Sequence, residues 1–416
     1  DMTQWAPVWR VKIDGTDVTD SVIANLTITS GRTNIYEQAQ AGYCSMTLIV
    51  FNQAAIDYEI NDTLSVEVQD TSAVYKSIFG GSIVDIAVSV SEVGSSAYTQ
   101  EVTITALGAL ARLQKALTDG VLTQDFDGDQ ILTILTDLLV NNWSEVPAAL
   151  QWNTYDPTVQ WQDAENTGLG EIDQPGNYEL AARSSSRTDV YSLVAALANS
   201  GLGYLYESAS GQISYADSTH RTTYLAANGY VDLSANNAQG SGLSIQSRTG
   251  DVRNTITLKY GQNSSTEVSA DDAASVGLYG QLAQIFTTTV KHQADAQDQA
   301  DFYLELRAYP QYNFNSITYQ LTNPEIDDGD RDSLINVFMG MPVAIADLPL
   351  NMASGTYLGF VEGWTFQAAY NQISVSLNLS PLAFSLQAMR WNDVPIVEAW
   401  NSIIPTLDWE HATQVA

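Results

Sequence analysis

Carboxylates dominate the side chains of this sequence that can do chemistry. Asp125-Phe126-Asp127-Gly128-Asp129 and Asp327-Asp328-Gly329-Asp330-Arg331-Asp332 place acids at alternate positions, as a loop offering oxygens to a calcium ion would. The first run departs from the twelve-residue calcium loop, because glycine stands at position 4 instead of 6 and position 12 is Thr136 instead of Glu. It reads better as the capped start of a helix. In the second run Asp328, Asp330 and Asp332 are the candidate calcium ligands, against the plainer reading of a solvated hairpin loop.

A second constellation is aromatic. Trp143, Trp152 and Trp161 recur every nine residues in a polar stretch that also holds Tyr155. Rings in such a setting stack on sugars, or they anchor the stretch to its own domain or a neighbour. Other chemistry is sparse. His220, His292 and His411 lie far apart, without HExxH or HxH spacing, so histidine-held metal is not expected. Cys44 is the single cysteine, which excludes an intrachain disulfide and a cysteine zinc cluster. Its place among alternating apolar residues marks it as a small buried hydrophobe. No serine has a GxSxG context. With 48 acids some carboxylate pair is always available to a glycosidase, so abundance points nowhere. No catalytic residue and no cofactor is assigned, and an enzyme is not expected.

The charge balance limits partners. Sixteen Lys and Arg against 48 Asp and Glu give a net charge of −32. Such a surface repels phosphate and anionic lipid headgroups, which argues against tight nucleic-acid binding. Asp outnumbers Glu by 32 to 16, and Lys (5) is scarcer than Arg (11). A saline habitat, a surface past which polyanions slide, and simple solubility all accommodate this. No apolar run approaches the roughly 18 residues of a membrane span, and Asp1–Trp5 lacks the features of a signal peptide. At 416 residues and 45% hydrophobic content the chain has material for two to four folded domains.

The elements that would carry these residues are mostly strands. Val8–Ile13, Ile23–Ile28, the alternating Cys44–Val50, Leu64–Val68, Val84–Val90 and Val102–Thr105 have the period of two that buries one face. Helical spacing follows at Ile131, Ile134, Leu135 and Leu138, and again after Thr188-Asp189 through Val190, Leu193, Val194 and Leu197 to Gly201. Tyr204–Ala216 reads as a hairpin, and residues 141–186 as a long, weakly regular insertion. Strands return at Ile256–Tyr260, Ile317–Leu321, Val343–Ala346, Leu358–Val361 and Ile373–Leu379, with a helix from Thr288 to Arg307 before Pro310. No short tandem period appears. The order is β-rich, mixed, β-rich.

Several stretches resemble phage minor tail proteins. Leu26-Thr27-Ile28-Thr29-Ser30-Gly31-Arg32, Gln40-Ala41-Gly42 and Thr47–Asn52 resemble their opening, and Ile78-Phe79-Gly80-Gly81-Ser82–Ile86 their next hairpin. Asp251–Leu258, Ser275–Gly280 with Ala294–Arg307, and Ala368–Pro381 resemble their later strands and helix. The set covers residues 7–117 and 186–382 in the same order, in the manner of the central tail-hub family (baseplate hub or tail tip).

The resemblance implies a mainly β chain with α (α+β), in which two tail-tube-like β-barrels flank a mixed middle. It implies β domains at 1–117 and 242–384 on either side of a middle region at 118–241; the insertion 141–186 and an extension at 385–416 are read from the sequence pattern alone and lie outside the resemblance. It implies a virion protein of the tail tip or baseplate: a homotrimer closing the tail tube, with a channel for DNA ejection. Partners would be the distal tail protein, tail tube, tape measure and receptor-binding or fibre proteins. Gly31, Arg32, Gly80 and Gly81 are its structural or interface candidates. The alternatives are a carbohydrate-binding adhesin using Trp143, Trp152 and Trp161, and a glycoside hydrolase.

Overall fold

A computed structural model describes residues 5–21, 23–51, 55–90, 99–139, 169–239, 243, 245–311, 313–314, 316–350, 355–369 and 371–381. Its main element is a twelve-stranded sheet. From one end the strands run Val231–Ser234, Pro342–Ala346, Tyr357–Ala369, Ile23–Gly31, Gln40–Phe51, Thr99–Leu107, Tyr75–Val90, Thr63–Gln69, Trp9–Ile13 and Thr16–Asp17. Gln372–Pro381 pairs the Tyr357–Ala369 strand on its other edge, and Ile317–Gln320 pairs Gln372–Pro381. All these pairs are antiparallel except Val231–Ser234 with Pro342–Ala346.

Alternation sets which face is inside. Cys44, Met46 and Leu48, Leu64, Val66 and Val68, and Val102, Ile104 and Ala106 are all at most 1% exposed, while their neighbours in sequence face outward. Burial pushes the Cys44 thiol far up, so it stays protonated and inert.

The expectation of a mainly β chain with helices is met. That of two closed barrels is not, among the described residues. Strands of the first and last β blocks share one sheet, joined where Ile23–Gly31 pairs with Tyr357–Ala369 from Leu26↔Ala368 to Gly31↔Gly363. Alternation identifies a buried face, but it carries no information about which distant strand completes an edge.

The middle of the chain packs helix Asp127–Leu139 against helix Val190–Ser200. The latter is capped by Asp189, whose carboxylate accepts from Ser192 N. The hairpin Tyr204–Glu207 and Ile213–Ala216 follows, with Leu169–Ile172 running parallel beside its second strand. A separate three-stranded sheet (Thr266–Asp271, Thr255–Tyr260, Ala283–Thr287) is covered by helix Gln293–Arg307. That helix begins five residues later than the sequence spacing suggests, because Thr288 is still bonded to Lys259 at the end of the sheet. Helices His220–Asn228, Ala273–Tyr279 and Asp328–Ile335 are nine residues or shorter, too short for an apolar stripe to stand out in the sequence.

Candidate functional site: a buried charged junction

The partner switch in the Tyr357–Ala369 strand positions the most heavily charged buried site. Residues 357–360 pair with Pro342–Ala346, residues 363–368 with Ile23–Gly31, and the register shifts between Val361 and Gly363. Such a bulge turns a side chain that would otherwise follow the alternation. Here it turns Glu362 inward, to 1% exposure. Two glycines allow the strands to come this close. Gly31 has φ +85, and a Cβ there would lie 2.3 Å from the Glu362 carbonyl oxygen; one on Gly363 would lie 2.6 Å from that of Arg32.

Glu362 receives two arginines from distant parts of the chain. Arg32 Nε donates at 2.6 Å, and Arg221 donates through Nη1 at 2.6 Å and Nη2 at 3.0 Å. Ser380 Oγ adds a fourth bond at 2.6 Å. The Arg221 guanidinium lies 4.5 Å from the centre of the Tyr204 ring and 5.2 Å from that of Phe360. Burial alone would raise the Glu362 carboxyl, but Arg221 and Arg32 outweigh it and hold it at about 2. Burial lowers Arg32, which makes only one bond to Glu362. Arg221, held by two, is raised because Glu362 outweighs burial. Both stay protonated. The junction thus ties the first β block (Arg32), the middle (Arg221) and the last block (Glu362, Ser380) at one point.

Three further contacts bind the first β block to the middle. Glu207 accepts from Gly42 N at 2.8 Å and from Leu110 N at 2.5 Å. A Cβ on Gly108 would lie 2.2 Å from its carboxylate, so the glycines form its cradle. Burial raises Glu207 to about 7, against the pull of the two amides. The Gln38 amide gives Nε2 to Asn199 Oδ1 and Gly203 O, and receives Leu205 N. Tyr191 donates to Ala39 O at 2.8 Å. Asp127, which the sequence suggests as a helix cap, is buried and takes Asn177 N, Tyr178 N and Tyr215 Oη. Burial raises it to about 6 against the pull of the Tyr215 hydroxyl and the Tyr178 amide.

The candidates from sequence fall in different places. Gly31 and Arg32 are in the junction. Gly80 lies against the hairpin turn, where a Cβ would sit 2.5 Å from Ser210 O, and Ser77 Oγ bonds Ala209 O beside it. Gly81 packs inside the large sheet, 2.4 Å from Leu107 O by the same measure. Asp328, Asp330 and Asp332 do not share a site. They lie on a helix, whose 3.6-residue period sends alternate residues to opposite faces. Asp328 pairs with Arg331 at 2.7 Å, and Asp332 receives Thr71 N and Oγ1. Burial, with Asp327 and Asp232 nearby, raises Asp330 to about 6. Among the described residues no group of three His, Cys, Asp or Glu side chains is placed to hold a metal. Trp143, Trp152 and Trp161 lie outside the described residues. His220 and His292 pair singly with Asp173 and Glu179, at 2.8 and 2.6 Å.

Sequence reasoning missed Glu362, Arg221, Glu207 and Gln38. Glu362 left one trace, as the sole charge in Leu358-Gly359-Phe360-Val361-Glu362-Gly363-Trp364. Arg221, in a polar stretch, left none. The arrangement is one of fastening: the Glu362, Glu207 and Asp127 carboxylates each accept from fixed internal donors.

No protein-family profile matches this chain, and no curated protein matches it in sequence. Its fold does match solved structures. The tail protein from Neisseria meningitidis MC58 superposes with a TM-score of 0.60 at 11% identity, over 92% of this chain and 100% of that one. The 43 kDa tail protein of prophage MuSo2 from Shewanella oneidensis gives 0.55 at 12%, over 91% and 99%. At these identities the likeness is one of fold.

Proposed function

We propose that this chain is a structural, non-enzymatic component of a phage-type tail, and within it the hub that closes the tail tube. The observation that carries the reading is the fold shared with the whole length of the Neisseria tail protein. On this reading the chain acts as a homotrimer at the tail tip or baseplate. It joins tube and tape measure to the distal tail protein and to receptor-binding or fibre proteins, and DNA leaves through its centre. The β-rich segments 1–117 and 242–384 are the ring-forming parts, linked by 118–241.

Two physical features favour it. A conduit for DNA must not hold phosphate, and a net charge of −32 opposes binding. Assembly also needs strand edges for neighbours to cover. Thr16–Asp17 and Val231–Ser234 end the large sheet, and Ala283–Thr287 ends the small one without a charge and with Ile285 63% exposed.

Electron microscopy with mass measurement tests the proposal. The expected particle is a threefold ring of three 45.2-kDa chains, about 136 kDa, with a central opening. A chain that stays monomeric even with its tail-tube partner, or that binds duplex DNA tightly at physiological salt, overturns it.

A further inference from the structure

The small sheet ends on an unguarded edge. Three other terminal strands of this chain are protected in ordinary ways. Thr266–Asp271 carries the exposed acids Glu267 and Asp271, Val231–Ser234 carries exposed Asp232, and Thr16–Asp17 is two residues long. Ala283–Thr287 is five residues long, has neither charge nor proline, and leaves Ile285 63% exposed. Half of its backbone is free. Leu282 O accepts from Thr255 N, and Thr288 N donates to Lys259 O. The even-numbered residues therefore face the Thr255–Tyr260 strand, and the peptide groups of Ala283, Ile285 and Thr287 point away from it. Among the described residues no hydrogen bond reaches those three from the other side. Such an edge accepts a further strand.

A groove of about 360 Å3 borders this edge at Gln284 and Arg307. Leu379, Ser380 and Pro381, which end the last described strand, line the same groove. The eight residues that follow, Leu382 to Met389, carry no charge, and Leu382, Phe384 and Leu386 alternate with Ala383, Ser385 and Gln387. That is the pattern of a strand. At ~3.3 Å per residue they span ~26 Å when extended, against ~17 Å for the edge, which leaves ~10 Å to cross the groove. We propose that residues 382–389 cross this groove and pair along Ala283–Thr287 of the same chain, as a fourth strand of the small sheet. The tether at Pro381 gives the segment an effective concentration on the order of mM at the edge, ahead of any free peptide or second copy. The inference concerns the free chain and does not rest on the hub reading. A neighbour that uses this edge in an assembled tail has first to displace the segment.

Site-resolved amide hydrogen exchange of the full chain is the test. The Ile285 and Thr287 amides should exchange at least ~100-fold more slowly than free peptide amides, although the rest of the sheet leaves them unbonded. Phe384→Pro combined with Ser385→Pro removes a donor from each side of the segment and should speed both amides at least ~10-fold. The Gln284 and Phe286 amides, bonded within the sheet, are the control and should keep their protection. Fast exchange at Ile285 and Thr287 in the unaltered chain overturns the proposal, as does protection that persists in the variant. Protection lost on dilution also overturns it, because a second copy is then the occupant. If the proline variant does not fold, Phe384→Asp combined with Leu386→Asp, which puts charge into the segment, is measured in its place.

Discussion

Glu362→Gln changes little more than one atom and is expected to be costly. The carboxylate accepts four hydrogen bonds in a site 1% exposed, three of them from guanidiniums. An amide keeps one acceptor oxygen and turns an NH2 toward arginines that can only donate. It also leaves two like charges buried side by side. Two routes give the magnitude. Removing one partner of a buried ion pair costs about 3–5 kcal/mol. Independently, a carboxyl held at about 2 instead of its ordinary 4.5 represents about 3 kcal/mol of favourable interaction at neutral pH.

The pH sign follows from the lowered value. This stabilisation is complete above about pH 4.5 and is lost as pH falls toward 2. Urea unfolding at pH 7, followed by tryptophan fluorescence and far-ultraviolet circular dichroism together, measures it. The expected result is a loss of about 3–5 kcal/mol with unchanged slope, and a smaller gap to the unaltered chain at pH 3. The triple variant Arg32→Met, Arg221→Met, Glu362→Met should recover most of the loss, because the penalty lies in the unpaired charges. A single-variant loss under about 1 kcal/mol would refute the account of the junction.

Other expectations follow from the same geometry. Glu207 is raised to about 7 from its ordinary 4.5, so its contribution is complete below about pH 4.5 and lost as pH rises through 7; Glu207→Gln should flatten this slope by up to about 3 kcal/mol between pH 4.5 and 8, measured by urea titration at each pH. Gly31→Ala meets both a positive φ and a backbone oxygen at 2.3 Å, and should cost about 2–5 kcal/mol. Gly277→Ala, in helix Ala273–Tyr279 with open space around it, should gain about 0.5–1 kcal/mol in the same unfolding assay. Asp332→Ala breaks both bonds to Thr71 and should cost about 1–2 kcal/mol, whereas calcium should leave the unfolding midpoint unmoved because Asp328 and Asp332 are engaged elsewhere.

The sequence by itself determined which residues form most strands and which face of each is buried. Cys44, Met46 and Leu48, or Val102, Ile104 and Ala106, declare this through a period of two that follows from backbone geometry alone. It also determined the two amphipathic helices, the second starting near Thr188-Asp189, because the 3.6-residue period acts over a few residues. The weakly periodic helix Asp328–Ile335 escaped, since a run of acids with a glycine reads as a loop until packing buries Leu334 and Ile335.

Tertiary structure alone decided the rest. Arg32 and Glu362 are 330 positions apart, and Arg221 and Glu362 are 141 apart. No local pattern encodes a meeting at that separation. The long-range pairing of Ile23–Gly31 with Tyr357–Ala369 creates it, and a one-residue bulge aims the carboxylate. The same pairing converts two blocks that look like separate β units in sequence into one sheet. Strand patterns specify an inner face. Which edge meets which is settled by the whole chain closing over its buried charges.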